Sequence, residues 1–263
     1  MDNRTVTKDV RRYNSYLSTV NLNYNFLSNP WIPTMWSFTF PGFGHLLLGM
    51  YLEGYLLVFW EIVVNSSAHL NEAMMYSFIG KFELAKEVLN FKWALLYIGV
   101  YVFAAWDSYR SSVDTNKINI LARNENAMIV PFKMSALSIA YLEQYPPRIA
   151  AAWSFFMPGV GQFLIHRLPT GFIILFWWML LCYLSNFPLA IFYTLTGSFE
   201  LVPSILVPKW FLYMPSIYVY SMFDAYFFSV EFNKLFKVEQ ATFLKREYQN
   251  KNFKIPRKKR KLY

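Results

Sequence analysis

Cysteine is almost missing from this chain. Cys182 is the only one in 263 residues, so no intramolecular disulfide can form and no cysteine cage for a metal is available. Charge is scarce too: Asp, Glu, Lys and Arg make up 16 % of the residues, against about 25 % in soluble domains. The charge present leans to one sign, with 25 Lys and Arg against 16 Asp and Glu. The first thirty residues hold no apolar run of the kind a secretory signal needs, which predicts insertion through internal hydrophobic segments. The sequence shows no nucleophile elbow, no phosphate loop and no His-Glu-x-x-His pair. Nor does a second ligand stand at metal spacing from His45. The chain is therefore expected to be non-catalytic, with no cofactor and no metal.

What it has instead is apolar bulk. Hydrophobic residues make up 56 % and aromatic ones 21 %, and several apolar runs approach the ~20 residues that cross a bilayer core. A soluble domain with one very large core is the poorer reading of that composition. One stretch also occurs twice. A shift of 117 positions carries Trp36-Ser37-Phe38-Thr39-Phe40-Pro41-Gly42-Phe43-Gly44-His45 onto Trp153-Ser154-Phe155-Phe156-Met157-Pro158-Gly159-Val160-Gly161-Gln162. The same ungapped shift carries Gly54 onto Gly171, Trp60 onto Trp177, Asp107 onto Asp224, Tyr109 onto Tyr226 and Asn116 onto Asn233. A tandem duplication is the reading: a polar arm 1–12, membrane repeats 13–117 and 130–234, a linker 118–129 and a basic tail 235–263.

Within each repeat the pattern predicts four parts. Tyr13, Leu17, Val20, Tyr24 and Leu27 step by four and three, which predicts an amphipathic helix; Val130, Met134, Leu137 and Tyr141 repeat the stripe. Pro30 and Pro147 are expected to end these helices. A first apolar segment follows, 31–49 and 148–166, broken by Pro-Gly-x-Gly. Proline removes a backbone donor and glycine admits left-handed backbone, so each break is expected to kink or re-enter and to face inward. Segments 52–68 and 170–186, then 91–110 and 209–230, are the predicted spans. The expected fold is all-α and integral to the membrane, with four full spans, two re-entrant segments and the repeats packed through their Pro-Gly-x-Gly faces about a pseudo-twofold axis. The alternative is six spans with inverted repeats. In the four-span arrangement Lys81, Lys86, Lys92 and Lys209 are the only basic residues on the far side. The positive-inside rule then favours cytoplasmic termini.

Pro-Gly-x-Gly followed by His or Gln, a further glycine and a late aromatic-Asp pair resembles the TM-two domain family. It is also similar to small bacterial membrane proteins with a Pro-Gly-x-Gly-Gln signature. The matching residues are Pro41, Gly42, Gly44, His45, Gly49, Gly54 and Asp107, then Pro158, Gly159, Gly161, Gln162, Gly171 and Asp224. The tyrosine that follows the family motif is replaced by Leu48 and Ile165, and the second copy has His166 at the place of Gly49. The resemblance implies residence in a bacterial cell membrane and no particular chemistry.

Intramembrane carboxylates are costly, so Asp107 and Asp224 draw notice. Each is expected to cap backbone N–H groups freed at a Pro-Gly-x-Gly break, with Asp107 also in reach of Arg110. His45 and Gln162 fit a shared hydrogen-bonding role. Glu61 is expected either to partner His45 or to face a polar cleft. The tail residues Arg257, Lys258, Lys259, Arg260 and Lys261 suit anionic lipid at the membrane surface rather than nucleic acid. The functional expectation is a scaffold or assembly partner that meets another membrane protein or a second copy of itself. The alternative is a small transporter or channel with its site between the repeats.

Overall fold

Asparagine and serine compete with their own backbone for hydrogen bonds, and tyrosine and valine favour extended chain. The Asn- and Tyr-rich stretch after residue 12 accordingly forms a β-hairpin in the computed structural model, which describes residues 12–125, 127, 129–136 and 139–249. Strand β1 (Ser15–Leu17) runs antiparallel to β2 (Leu22–Tyr24), with Leu17 opposite Leu22. Ser18 Oγ closes the turn, donating to Asn21 O at 2.8 Å and accepting from Asn21 N at 3.0 Å. The amphipathic helix expected here does not form. Extended chain reverses its side chains at every residue, so Leu17, Leu22 and Phe26 make the inward face while Tyr13, Val20 and Leu27 point outward. A second hairpin, β3 (Phe132–Met134) with β4 (Ile139–Tyr141), stands where the matching helix was expected. Leu137 of that stripe lies outside the described residues.

Pro30 and Pro147 begin helices rather than end them. Pro30 is the N-cap of α1 (Trp31–Thr39), and Pro147 is the first residue of α7 (Pro147–Phe156). A fixed φ and a missing N–H suit the opening turn. Each helix then breaks at Pro-Gly and resumes as a five-residue turn, α2 (Phe43–Leu47) or α8 (Val160–Leu164). Gly42 and Gly159 both have φ of 100°, a backbone that side chains rarely adopt. They also lie against backbone: a Cβ on Gly159 would stand 2.6 Å from Gly171 O, and one on Gly42 would strike Gly54 O. Each break therefore packs on the next helix of its own half, α3 (Tyr51–Ala68) or α9 (Leu168–Ser185). The expected packing of one break against the other is not found.

Later elements keep the 117-residue offset. Helix α4 (Leu70–Phe78) matches α10 (Phe187–Leu195), and the residues before them, His69 and Asn186, share a φ of 56°. The first half continues through α5 (Phe82–Val88) into α6 (Phe91–Asn124). The second passes a short 3-10 turn (Phe199–Leu201), α11 (Val202–Ile205) and α12 (Pro208–Phe211) before α13 (Met214–Glu247). The two long helices overrun their expected ends. Helix α6 runs through most of the predicted linker, because Asn119 donates to Asn25 O and Ala122 is buried. Helix α13 enters the predicted tail, where Leu235 is still buried.

The described residues are mostly helical, with two small hairpins. Among the described residues, Leu168–Ser185 alone is long and apolar enough to cross a membrane, and only 28 % of it is buried. Helices α5 and α6 reach that standard only as a pair bent by 88°. Four such helices were expected. Glu53 and Glu61 interrupt α3, and α6 and α13 each join an apolar beginning to a polar end.

The halves meet along one aromatic seam. Phe43 stacks on Tyr220 at 4.1 Å between ring centres, and Trp36 lies 5.2 Å from Tyr220 and 5.0 Å from Phe223. Phe26 reaches Phe227 at 5.2 Å. A twofold axis would also bring Trp153 to Phe103 and Trp106, but those three rings stand exposed. The halves are joined head to tail.

Candidate functional site

Asp224 sits in α13, completely buried, where an unpaired carboxylate would be prohibitive. Gln162 of α8 donates to its Oδ2 from Nε2 at 3.2 Å, and the Arg167 guanidinium lies 3.2 Å from Oδ1. Tyr220, one turn earlier on α13, donates to Oδ1 at 3.5 Å. Gln162 also donates to Ser221 O at 2.8 Å, so its one amide ties the broken segment to α13 twice. The freed backbone N–H of Gly159 donates to Ser221 Oγ at 3.0 Å. The expected cap by aspartate is thus corrected: a serine takes that backbone donor, and the aspartate receives side chains instead.

In the first half Asp107 Oδ2 meets His45 Nε2 at 3.1 Å, and Oδ1 accepts from Arg110 Nη2 at 2.6 Å. The two aspartates therefore share a partner position, His45 or Gln162, on the helix after the break. They differ in their cation: Arg110 follows Asp107 on the same helix and is half exposed, whereas Arg167 comes from the turn before α9 and is sealed in. Position 50, which corresponds to Arg167, is Met50.

Arg167 is the residue that sequence reasoning missed. The signal was present, since the His166-Arg167 pair set between Ile165 and Leu168 in an apolar stretch must find partners. It touches both halves. Its Nη2 donates to Leu46 O at 3.3 Å and to Thr170 Oγ1 at 3.2 Å, and its guanidinium carbon lies 3.3 Å from the Phe228 ring centre. The first hairpin closes over it: Leu22 N donates to His166 O, Leu168 N donates to Val20 O, and His166 Nε2 meets Ser18 O at 2.9 Å. His166 thereby holds the left-handed backbone that Gly49 holds in the first half.

Three buried polar atoms near this point lack a hydrogen-bond partner: Arg167 Nε, Tyr55 Oη and Asn21 Oδ1. Asn21 also donates to Tyr51 Oη at 2.9 Å. Of the three residues Arg167 lines a cavity of about 180 Å³, together with Asn23, Leu47, Tyr51 and Phe228 among others. Glu61 lies elsewhere, accepting from Asn65 Nδ2 at 2.9 Å, and His45 is not its partner.

The other motif residues shape the two breaks. Pro41, Gly42 and Gly54 form one break and its seat; Pro158, Gly159 and Gly171 form the other. Gly44 and Gly161 lie against Ser37 and Ser154 of the preceding helices. Asn116 and Asn233, noted in the sequence only as a repeated pair, each clamp a backbone. Asn116 accepts from Ser28 N at 3.0 Å and donates to Ser28 O at 2.8 Å; Asn233 does the same to Tyr145 at 2.7 Å each way. Arg257, Lys258, Lys259, Arg260 and Lys261 lie outside the described residues. Comparison with protein-family models, with curated proteins and with solved structures finds no match.

Proposed function

We propose that this chain is a duplicated, multi-pass membrane protein that works as a scaffold or assembly partner rather than by catalysis. The observation that carries the reading is where its acidic groups are spent. The two aspartates that could have marked a reaction or an ion path are engaged by neighbouring side chains, Asp107 by His45 and Arg110, Asp224 by Gln162 and Arg167. The outward faces are apolar: Phe172, Phe176 and Met179 of α9 and Leu95, Ile98 and Val102 of α6 are exposed, as lipid-facing helices require.

Two crossings per half fit the dimensions. Helices α1 and α2 hold nine and five residues, about 14 Å and 8 Å at 1.5 Å per residue, well short of a hydrocarbon core of about 30 Å. We place the termini in the cytoplasm of a bacterial cell, with the basic tail on anionic lipid, because the Lys and Arg residues gather on that side.

One observation favours a second reading, a small carrier: the unpartnered Nε of Arg167, which lines a cavity between the halves. Reconstitution into liposomes separates the two. The scaffold reading expects chloride, phosphate and acetate fluxes no greater than those of an Arg167→Met variant. A flux that this substitution abolishes, in protein that still elutes as a folded species, would put the carrier first.

A further inference from the structure

The aromatic seam between the halves uses one face of each half and leaves the equivalent face of the other half open. The first half contributes Trp36, Phe40, Phe43 and Ser66; the second contributes Tyr213, Tyr220, Phe223 and Phe227. Shifting each set by 117 residues gives the unused faces. Trp153, Met157, Val160 and Tyr183 lie on α7, α8 and α9 of the second half. Leu96, Phe103, Trp106 and Arg110 lie on α6 of the first.

Exposure shows what the seam covers. Tyr213 is 3 % exposed and its counterpart Leu96 64 %; Tyr220 is 0 % and Phe103 50 %; Phe40 is 3 % and Met157 38 %. Trp153 and Trp106 are likewise about half exposed. A heterologous contact of this kind cannot satisfy itself within one chain, and its free ends suit further copies, in a ring if the rotation closes.

We propose that a second copy of this chain docks on the open face, its α6 against α7–α9 of the first, repeating the internal seam. This rests on the scaffold reading and names its partner. The ring contacts of the internal seam have apolar or aromatic counterparts, whereas its hydrogen bonds from Asn71 to Lys209 O and from Arg167 to Leu46 O do not, since Pro188 and Met50 stand at the places of Asn71 and Arg167. Trp36 on Tyr220 and Phe223 becomes Trp153 on Phe103 and Trp106, an aromatic cluster again. Phe40 on Tyr213 becomes Met157 on Leu96, Phe43 on Tyr220 becomes Val160 on Phe103, and Ser66 beside Tyr213 becomes Tyr183 beside Leu96. The most specific substitution is at the rim. Phe26 on Phe227, 5.2 Å apart inside the chain, becomes Glu143 opposite Arg110. Two apolar residues are replaced together by opposite charges. Arg110 already pairs with Asp107 on its own helix; Glu143 has no ion pair among the described residues, and against the same guanidinium it would give a second copy its register.

The test is cross-linking in native membranes between two differently tagged full-length chains, each with Cys182→Ser. One carries Trp153→Cys and the other Phe103→Cys; a short bismaleimide is added. The proposal expects a mixed 153–103 dimer at least about tenfold more abundant than 153–153 or 103–103 products. It also expects Glu143→Arg to reduce the mixed dimer about tenfold and Glu143→Gln to reduce it less. Both substituted positions are exposed, and elution as a folded species checks each variant. Absence of the mixed dimer from folded protein, or a dominant 153–153 product, would overturn the proposal. So would full quenching by brominated lipid of a bimane attached to the Trp153→Cys variant, which would assign the face to the bilayer. The liposome flux assay reads the scaffold proposal separately, so either can fail without the other.

Discussion

At the residue scale the sharpest contrast is between the two aspartates. Asp224 is sealed in and depends on Arg167 and Gln162, whereas Asp107 lies near the surface with a solvent-reaching partner. Removing one member of a buried ion pair leaves an uncompensated charge and costs about 3–5 kcal/mol, while replacing both by neutral groups is often tolerated. Arg167→Met is therefore expected to lower the melting point strongly in detergent, read as loss of the folded peak after heating. Arg167→Met with Asp224→Asn should recover much of the loss. Arg110→Met, at a pair whose arginine is half exposed, should shift it less. If the single and double Arg167 variants melt alike, the pair is not what holds α8, α9 and α13 together.

At the element scale the breaks and the clamps can be tested separately. Gly42→Ala imposes both a left-handed backbone, about 1–3 kcal/mol for a residue with a side chain, and a collision with Gly54 O and Val58. Gly80 has a φ of 76° but open space around it. Gly80→Ala should thus cost only the backbone part, and the difference between the two melting shifts measures how tightly the break seats on α3. Gly99 is helical with nothing within 4 Å, so Gly99→Ala should stabilise, by up to about 1 kcal/mol. For the clamps, Asn116→Ala strands both polar groups of Ser28 and Asn233→Ala those of Tyr145, each costing about 1–3 kcal/mol if they stay dry. Hydrogen exchange should rise at the Ser28 amide in the first variant and at the Tyr145 amide in the second, without crossover.

These elements also show what was readable beforehand. The helix breaks could be placed because proline and glycine act on their own backbone, whatever packs around them. The hairpins could not, because Tyr13, Leu17, Val20, Tyr24 and Leu27 satisfy a helical period by spacing alone. What decides against the helix is Ser18 bonding Asn21 and the docking of Leu22 and Val20 on 166–168. That docking joins distant parts of the chain, with Ser18 and His166 standing 148 positions apart. Arg167 was overlooked for a related reason. A single arginine in a short turn reads as a loop residue until the partner that neutralises it, Asp224, is brought across from another helix.

At the scale of the whole molecule the proposed membrane arrangement makes a prediction about how many times the chain crosses, and the fold offers places to test it. Glu83 on α5 and Thr196 after α10 are exposed at one end of their halves, and Asn124 closes α6 at the other. The short α1 and α2 argue that the broken segments re-enter, which puts both connectors on one side and Asn124 on the opposite one. In a Cys182→Ser background, cysteines at 83 and 196 should then react with an impermeant maleimide added to intact cells, and one at 124 should react only after lysis. Six crossings would reverse this for one half: positions 83 and 196 would label from opposite sides, since an odd number of spans inverts the second half relative to the first. That outcome would also undo the head-to-tail seam as drawn, because α1 and α13 could no longer run beside each other in their present sense. The labelling pattern and the 153–103 cross-link must therefore agree, and a mixed dimer from chains that label as inverted halves would be inconsistent with this fold.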